Sequence, residues 1–278
     1  MKLEDYRKKK EFLICVDSDG CAMDTMDIKH IRCFGPCMVE TWNLQEWGEE
    51  ILARWNEINL YTITRGINRF KGLAQMLREV QERFLPIEEL PILEEWVRTS
   101  DELSNAALER ALEQKDSLIL RKALVWSEAV NRRINALPEE VKKPFPGVAE
   151  GLACAHSYAD IAIVSSANLQ AVLEEWEHHD LLKYVDIVLA QDVGSKAFCI
   201  AKLLEKGYDP QKVLMTGDAA GDYDAARKNG VFYYPILVRH EEASWDEFRE
   251  HAVSNLLDGN YGGVYQEERI RAFTENLT

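Results

Sequence analysis

The sequence predicts an α/β fold in which a doubly wound parallel sheet carries an inserted all-helical domain. Two features favour this fold class. A continuous apolar run, residues 12–16, ends abruptly at polar residues, which is typical of a parallel strand buried on both faces. A helical stretch from about residue 26 to 143 is then followed by segments that alternate between strand and helix patterns. Since the first run has no partner strand of its own nearby, it most simply joins the sheet formed by the later strands.

The elements of the helical stretch follow from its apolar spacing. Apolar residues repeat at helix spacing at Trp47, Ile51, Leu52, Trp55 and Ile58, and the pattern continues over residues 68–82 and 87–98. Ser100 is the expected N-cap of a long helical stretch over residues 101–136, which ends before Pro138. The stretch therefore predicts a separate helical domain, residues 26–143.

The segments beyond residue 143 predict the rest of the sheet. Strands are expected at residues 161–164, 185–190, 212–216 and 231–238. Helices are expected near residues 168–179, 195–206 and 221–229, with a terminal helix at 244–258. The predicted core domain is thus discontinuous and comprises residues 1–25 and 144–278.

Composition and charge exclude several kinds of partner. The 278 residues include 48 acidic and 33 basic side chains, and the formal charge of −15 repels nucleic acid and anionic membranes. No apolar run approaches the ~18 residues of a membrane-spanning helix, and the apolar run 12–16 is too short for a signal peptide. Six cysteines are too sparse for a disulfide scaffold. We therefore expect a cytoplasmic protein with no nucleic-acid or membrane partner. The sequence does not predict its oligomeric state.

Polar side chains follow the carboxyl ends of four predicted strands, which is where open α/β sheets bind ligands. In strand order they are Asp17 and Asp19, then Ser165, then Lys196, then Asp218 and Asp222. Carboxylates that converge need a cation, and their hard oxygen atoms suit Mg²⁺. One carboxylate can attack phosphorus, a second can act as general acid and base, and a lysine with a hydroxyl can hold phosphoryl oxygens. This inventory indicates a phosphohydrolase.

The same residues resemble the four motifs of the haloacid dehalogenase-like (HAD) superfamily. Residues 17–20, Asp-Ser-Asp-Gly, resemble its DxDG signature, and residues 217–222 resemble its GDxxxD motif. Ser165 and Lys196 match the second and third motifs in order and spacing. The resemblance implies a Rossmann-like core, and the helical insertion falls where C1-type helical caps of this superfamily occur.

The resemblance implies a role for each aspartate. Asp17 would be the nucleophile and a Mg²⁺ ligand, and Asp19 would be the general acid and base that also binds the metal through its backbone carbonyl. Asp218 would complete the protein ligands. Asp222 would either coordinate Mg²⁺ through a water molecule or contact the coordinating residues without binding the ion itself.

Ser165 and Lys196 would bind the phosphoryl oxygens, and the adjacent Ser166 is a candidate substrate-binding residue. Lys202 competes with Lys196 for this role. Because Lys196 lies closer to the end of its strand, we prefer it.

A basic segment of the helical domain is a candidate for binding the leaving group. Residues 58–78 contain no acidic residue but four basic ones, Arg65, Arg69, Lys71 and Arg78. Glycines bracket residues 64–72, which indicates a shaped loop. We expect Arg65, Asn68 and Arg69 to bind an anionic or polar leaving group. The alternative is a solvated helix connection that lacks acids by chance.

The predicted function is Mg²⁺-dependent hydrolysis of a small phosphorylated metabolite through a phospho-aspartate intermediate. A sugar-phosphate mutase of the same superfamily is one alternative, because it shares Asp17, Asp19 and a helical cap. A catalytically silent binding or regulatory protein that kept the fold is another. The intact acidic set favours an enzyme, since carboxylates clustered without a metal only destabilise a protein.

Overall fold

The chain forms two compact units. The computed structural model describes residues 3–277. The core unit comprises Met1–Met26 and Glu139–Thr278, and the inserted unit comprises Asp27–Pro138. The predicted insertion, residues 26–143, begins one residue earlier and ends five residues later than the inserted unit. Residues 1, 2 and 278 of the predicted core lie outside the described residues.

A five-stranded parallel sheet forms the centre of the core unit. The strands of the chain are β1 (Phe12–Val16), β2 (Met23–Asp24), β3 (Lys143–Pro144), β4 (Ala159–Val164), β5 (Ile187–Leu189), β6 (Val213–Gly217) and β7 (Phe232–Pro235). The sheet order is β5-β4-β1-β6-β7, while β2 and β3 form a separate antiparallel pair. In the middle strand, Ile14 lies opposite Ile161 on one side and Leu214 on the other. The α/β fold class and the place of the first apolar run in this sheet are therefore confirmed.

Asp160 is a buried acid at the amino end of the sheet. Its Oδ2 accepts hydrogen bonds from the backbone N–H groups of Lys9 and Lys10 at 2.8 and 2.9 Å. The Tyr208 hydroxyl donates a third bond to the same oxygen at 2.5 Å. One side chain of β4 thus fixes the segment that leads into β1.

Asp160→Ala should lower the free energy of unfolding by about 3 kcal/mol, because two buried N–H groups and a hydroxyl lose their acceptor. The measurement is urea denaturation. Glu205→Ala is the control, since Glu205 pairs with Lys202 on the exposed surface and should cost less than about 1 kcal/mol. Equal losses in the two variants would contradict a stabilising role for the Asp160 bonds.

The inserted unit consists of helices around an aromatic centre. Its helices are α1 (Met26–Lys29), which starts in the core unit, α2 (Gly35–Thr41), α3 (Gly48–Asn56), α4 (Arg69–Arg83), α5 (Leu90–Thr99), α6 (Asn105–Gln114) and α7 (Leu118–Asn135), with π-helical turns at His30–Phe34 and Glu57–Tyr61. The Trp126 ring makes edge contacts with Phe34, Trp55 and Phe70, each at 6.1 Å between ring centres. Such edge-to-face contacts add to the burial of these large rings.

The helical stretch expected over residues 101–136 forms two helices, α6 and α7, and its expected N-cap, Ser100, is wrong. Ser100 ends α5 instead of capping the next helix, and Ser104 is the N-cap that accepts the Ala107 N–H. Ser117 caps α7, and its hydroxyl also donates to the Glu89 carboxylate at 2.6 Å. The hydrogen bond from Ser117 to Glu89 favours a helix start at Ser117 over a continuous helix. Apolar spacing in the sequence does not reveal that Glu89 is the partner.

The remaining helices belong to the core unit. They are α8 (Val148–His156), α9 (Leu169–His178), α10 (Lys196–Leu204), α11 (Ala220–Asn229), α12 (Glu241–Glu247), α13 (Val253–Leu257) and α14 (Val264–Asn276), with a π-helical turn at Phe248–Ala252. The expected terminal helix, residues 244–258, corresponds to α12, the π-helical turn and α13, but α14 was not predicted. Only Phe273 of α14 is buried, so its sequence lacks a clear apolar stripe. Among residues 3–277, no helix has both the length and the apolar character that crossing a bilayer requires.

Candidate active site

The predicted site residues lie at the carboxyl ends of adjacent strands. Asp17 follows β1, Ser165 follows β4 and Asp218 follows β6. Because β1 lies between β4 and β6, these three strand ends are neighbours at one edge of the sheet. Lys196 begins α10, and Asp222 lies in the first turn of α11.

Three buried carboxylates converge at this edge. Asp17, Asp218 and Asp222 each place one oxygen within 4.8 Å of the others, and their residues are only 5, 1 and 0% exposed. Burial raises the pKa of Asp17 to about 7, and burial also raises the pKa of Asp222. Oxygen donors of this kind and number fit a hard divalent cation such as Mg²⁺.

Lys196 is the cation of this cluster. Its Nζ lies 2.8 Å from Asp17 Oδ2 and 2.5 Å from Asp222 Oδ1. Although burial disfavours the charged amine, these two carboxylates raise the pKa of Lys196 above its usual value. The competing Lys202 instead pairs with Glu205 at 2.8 Å. Lys196 therefore offsets part of the negative charge of the cluster through Asp17 and Asp222.

Asp19 lies outside the group of three carboxylates and has a hydroxyl partner. The buried Thr25 donates from its Oγ1 to Asp19 Oδ1 at 2.6 Å. The sequence shows a threonine six residues after Asp19, but the sequence analysis did not identify Thr25 as a hydrogen-bond partner of that carboxyl. The bond restricts the rotamer of Asp19, which a proton-transferring carboxyl needs.

The loop after β1 is fixed by contacts that the sequence analysis also missed. The Trp176 indole donates to the Ser18 hydroxyl at 2.9 Å, next to Asp17 in the chain. At the end of β6, a Cβ on Gly217 would lie 2.3 Å from the Asp222 carboxyl carbon, so only glycine fits. These contacts hold the carboxylates in place before a ligand binds.

Ser165 and Ser166 differ in their surroundings. Ser165 is buried, its N–H donates to the Leu189 carbonyl at 3.0 Å, and its Oγ accepts from the Ala167 N–H at 3.1 Å. Ser166 is exposed. Of the two hydroxyls, the Ser165 hydroxyl is the one that is held at the strand end beside Asp17.

A comparison with family models gives a match over just over half of the chain. The matching model is described as haloacid dehalogenase-like hydrolase and covers residues 89–235. The chain belongs to the haloacid dehalogenase-like (HAD) hydrolase family. The matched part includes Ser165, Lys196 and Asp218, whereas Asp17 and Asp19 precede it. A comparison with curated proteins gives no match.

Three solved structures resemble this chain at low sequence identity. A proposed phosphoglycolate phosphatase from Lactobacillus delbrueckii subsp. bulgaricus is 13% identical, with a TM-score of 0.52 over 82% of this chain and 86% of that chain. A HAD-like hydrolase from Streptococcus pneumoniae is 13% identical, with a TM-score of 0.46 over 89% of this chain and 97% of that chain. A proposed β-phosphoglucomutase from Thermotoga maritima is 20% identical, with a TM-score of 0.43 over 81% and 84%. The family model confirms the resemblance expected from the motifs, and the likeness to the Lactobacillus delbrueckii protein concerns the fold alone.

The three substrate-binding candidates in the inserted unit of this HAD hydrolase are placed differently. Arg65 is buried, donates from Nη1 to the Leu60 carbonyl at 2.8 Å, and lies 3.5 Å from an Asp27 carboxylate oxygen. Asn68 caps α4 with its side chain, and the half-buried Arg69 begins that helix. The loop expected over residues 64–72 therefore ends at Asn68. That these three residues bind substrate stays a prediction.

Proposed function

We propose that this HAD hydrolase is a Mg²⁺-dependent phosphatase that cleaves a small phosphorylated metabolite through a phospho-aspartate on Asp17. The observation that carries the proposal is the buried convergence of Asp17, Asp218 and Asp222, of which Asp17 and Asp222 contact Lys196. Carboxylates this close together repel one another, and a divalent cation bound between them offsets that repulsion. The inserted unit would be the helical cap of C1 type, and cytoplasmic localisation stays a prediction.

The chain's own residues divide the work of phosphoryl transfer. Asp17, Asp218 and Asp222, with the backbone carbonyl of Asp19, would hold Mg²⁺. The bound ion would offset the charge of the phosphoryl oxygens. Asp17 attacks phosphorus, and the P–O bond to the leaving group breaks as the bond to Asp17 forms. Lys196, together with Ser165, binds phosphoryl oxygens and stabilises the charge that develops on them.

Asp19 transfers the protons. It donates one to the leaving oxygen as the ester bond breaks, and it then accepts one from the water that attacks phospho-Asp17. That second step releases inorganic phosphate and restores Asp17. The hydrogen bond from Thr25 supports this role, because it orients the Asp19 carboxyl.

Asp19→Asn should lower kcat by about 10²- to 10⁴-fold, because the amide supplies neither the acid nor the base. Slow phosphorylation of Asp17 should persist with a good leaving group, so phospho-enzyme should accumulate. Steady-state phosphate release and acid-quench trapping of the phospho-enzyme measure the two effects. Thr25→Val keeps the shape and the carboxyl, and should cost only about tenfold. A wild-type rate in Asp19→Asn would contradict the proposed proton transfer.

The function itself is tested with purified protein, Mg²⁺ and a panel of phosphorylated sugars, nucleotides and amino acids. We expect release of inorganic phosphate from one chemical class. Conversion of a sugar phosphate into its isomer without phosphate release would instead identify a mutase. The absence of both turnover and phosphorylation of Asp17 across the panel would favour a catalytically silent protein.

A further inference from the structure

Arg69 is a half-buried cation of the inserted unit whose hydrogen-bond partners are neutral. Its Nη1 donates to Ser127 Oγ at 3.0 Å and to Asn131 Oδ1 at 2.8 Å. The guanidinium carbon lies 5.0 Å from the centre of the Phe34 ring. Among residues 3–277, no carboxylate forms an ion pair with Arg69, and burial lowers its pKa to about 10. Desolvation of this cation is therefore not offset by an acid.

The two bonds of Arg69 occupy one edge of the guanidinium. Both N–H groups of Nη1 are used, whereas the edge formed by Nε and Nη2 donates to no residue within 3–277. That edge carries two parallel N–H groups, which match the two oxygens of a carboxylate or phosphate. Since Ser127 and Asn131 fix the other edge, the guanidinium is oriented before any ligand arrives.

Two other arginines of the inserted unit show how this edge is normally used. Arg54 donates from Nε and Nη2 to both carboxylate oxygens of Glu79, at 2.7 and 2.9 Å. Arg78, in the same helix as Arg69, donates from the same two nitrogens to both oxygens of Glu94. Arg69 has the same donor pair available but no glutamate opposite it.

Arg69 lies at the amino end of a helix, which adds positive charge around its guanidinium. It is the first residue of α4, a helix of 15 residues, and the first turn contains no acidic residue. Backbone N–H groups give the amino end of a helix a partial positive charge, which disfavours a cation and favours an anion. Residues 58–78 lack acids altogether, in a chain whose net charge is −15. The two Nη1 bonds already connect α4 to Ser127 and Asn131 of α7. A purely structural role for Arg69 therefore does not explain why the residue is a cation or why its Nε–Nη2 edge has no partner among residues 3–277.

We propose that the Nε–Nη2 edge of Arg69 binds the paired oxygens of a small anion, a carboxylate or a phosphate. This inference concerns binding within the inserted unit and does not rest on the proposed phosphatase activity. The anionic group belongs either to the leaving group of the substrate or to a separate small molecule, and both sources present the same chemistry to Arg69.

Malonate binding to the full chain without divalent cations tests the site, measured by isothermal titration calorimetry. The wild type should bind malonate, and Arg69→Gln should weaken binding about 10- to 100-fold. Arg69→Lys keeps the charge but loses the paired donors, and should show a smaller loss. Arg78→Gln removes the same charge from the same helix and should leave malonate binding unchanged. Equal affinity in the wild type and Arg69→Gln, or no binding by the wild type, would overturn the proposal.

Folding of the variants is checked by circular dichroism. Should Arg69→Gln fail to fold, Arg69→Lys decides the question, because its amine can still donate to Ser127 or Asn131. Wild-type affinity in a folded Arg69→Lys variant would then show that paired donors are not needed, and would overturn the proposal.

The source of the anion is tested with two matched substrates and Mg²⁺, phenyl phosphate and 4-carboxyphenyl phosphate. If the anion is part of the leaving group, kcat/KM should favour the carboxylated ester, and Arg69→Gln should reduce this preference about 10- to 100-fold. If Arg69→Gln loses malonate binding but keeps the wild-type preference, the site serves a separate small molecule. Failure of the wild type to hydrolyse either ester would count against the phosphatase and leave the malonate result intact.

Discussion

Asp17→Asn should abolish turnover, with kcat reduced by roughly 10⁴- to 10⁶-fold, because an amide cannot attack phosphorus as a carboxylate does. Formation of the phospho-enzyme should disappear together with phosphate release. Both are measured after acid quench of a single turnover with a labelled phosphate ester. Phospho-enzyme in the Asn variant would show that another residue is the nucleophile.

The Asn variant also controls for folding. Asparagine has nearly the same shape as aspartate, and the substitution removes the Asp17 carboxylate, whose pKa burial raises to about 7. Lys196 retains Asp222 as a partner at 2.5 Å. The midpoint of thermal unfolding without metal should therefore stay the same or rise, so that lost activity is not explained by lost structure.

Removal of divalent cations should abolish hydrolysis, and Mg²⁺ should restore it. The site brings three buried carboxylates together, two of which contact Lys196, and a phosphate ester adds further negative charge. Ca²⁺ should inhibit, because its longer and looser coordination disturbs the in-line arrangement. Full activity after rigorous removal of metal would exclude Mg²⁺ dependence.

The same ion should be detectable without catalysis. At 100 times its Kd, Mg²⁺ should raise the free energy of unfolding by about 2.7 kcal/mol, measured by urea denaturation. Asp218→Asn should lose most of this gain. Asp224→Asn is the matched control, since Asp224 lies on the exposed side of α11 and pairs with Arg227. Equal gains in the two variants would show that Mg²⁺ binds elsewhere.

The stability of the metal-free protein should depend on pH in a defined direction. Burial raises the pKa of Asp17 to about 7 in the folded chain, above the value of about 4 expected when unfolded. The folded state therefore binds more protons between these values, so the contribution is present below about pH 4 and lost as the pH rises towards 7. Asp17→Asn should reduce this slope, and Mg²⁺ should reduce it in the wild type. Identical pH profiles for the wild type and Asp17→Asn would contradict the burial effect.

The sheet and the convergence of its acids could be predicted because both depend on local patterns. An apolar run such as residues 12–16 followed directly by Asp17 marks a buried strand and its carboxyl end in a few residues. Parallel strands place such ends at one edge, and this brings Asp17 and Asp218 together across β1 and β6. Lys196 is identified in the same way, because it lies shortly past the predicted strand 185–190, and its match to the third family motif supports that choice.

What could not be predicted depends on partners far apart in the sequence. The break between α6 and α7 involves Glu89, which is 28 residues from Ser117. The bond from Trp176 to Ser18 joins residues 158 positions apart. In the sequence, Arg69 is one of four basic residues in the segment 58–78. Only the positions of Ser127 and Asn131 in the structure show which nitrogen of its guanidinium forms hydrogen bonds.

The central place of β1 has a consequence for how the chain is made. Leu13 pairs with Asp160 on one side and with Val213 on the other, so its second neighbour is synthesised 200 residues later. At about 5–20 residues per second, the ribosome needs roughly 10–40 s to deliver that neighbour. The inserted unit, Asp27–Pro138, is complete well before then and has its own internal contacts. The strand that Asp17 follows, β1, thus leaves the ribosome first among the strands of its sheet and has the longest interval before both of its neighbours exist, during which its apolar edges are unpaired.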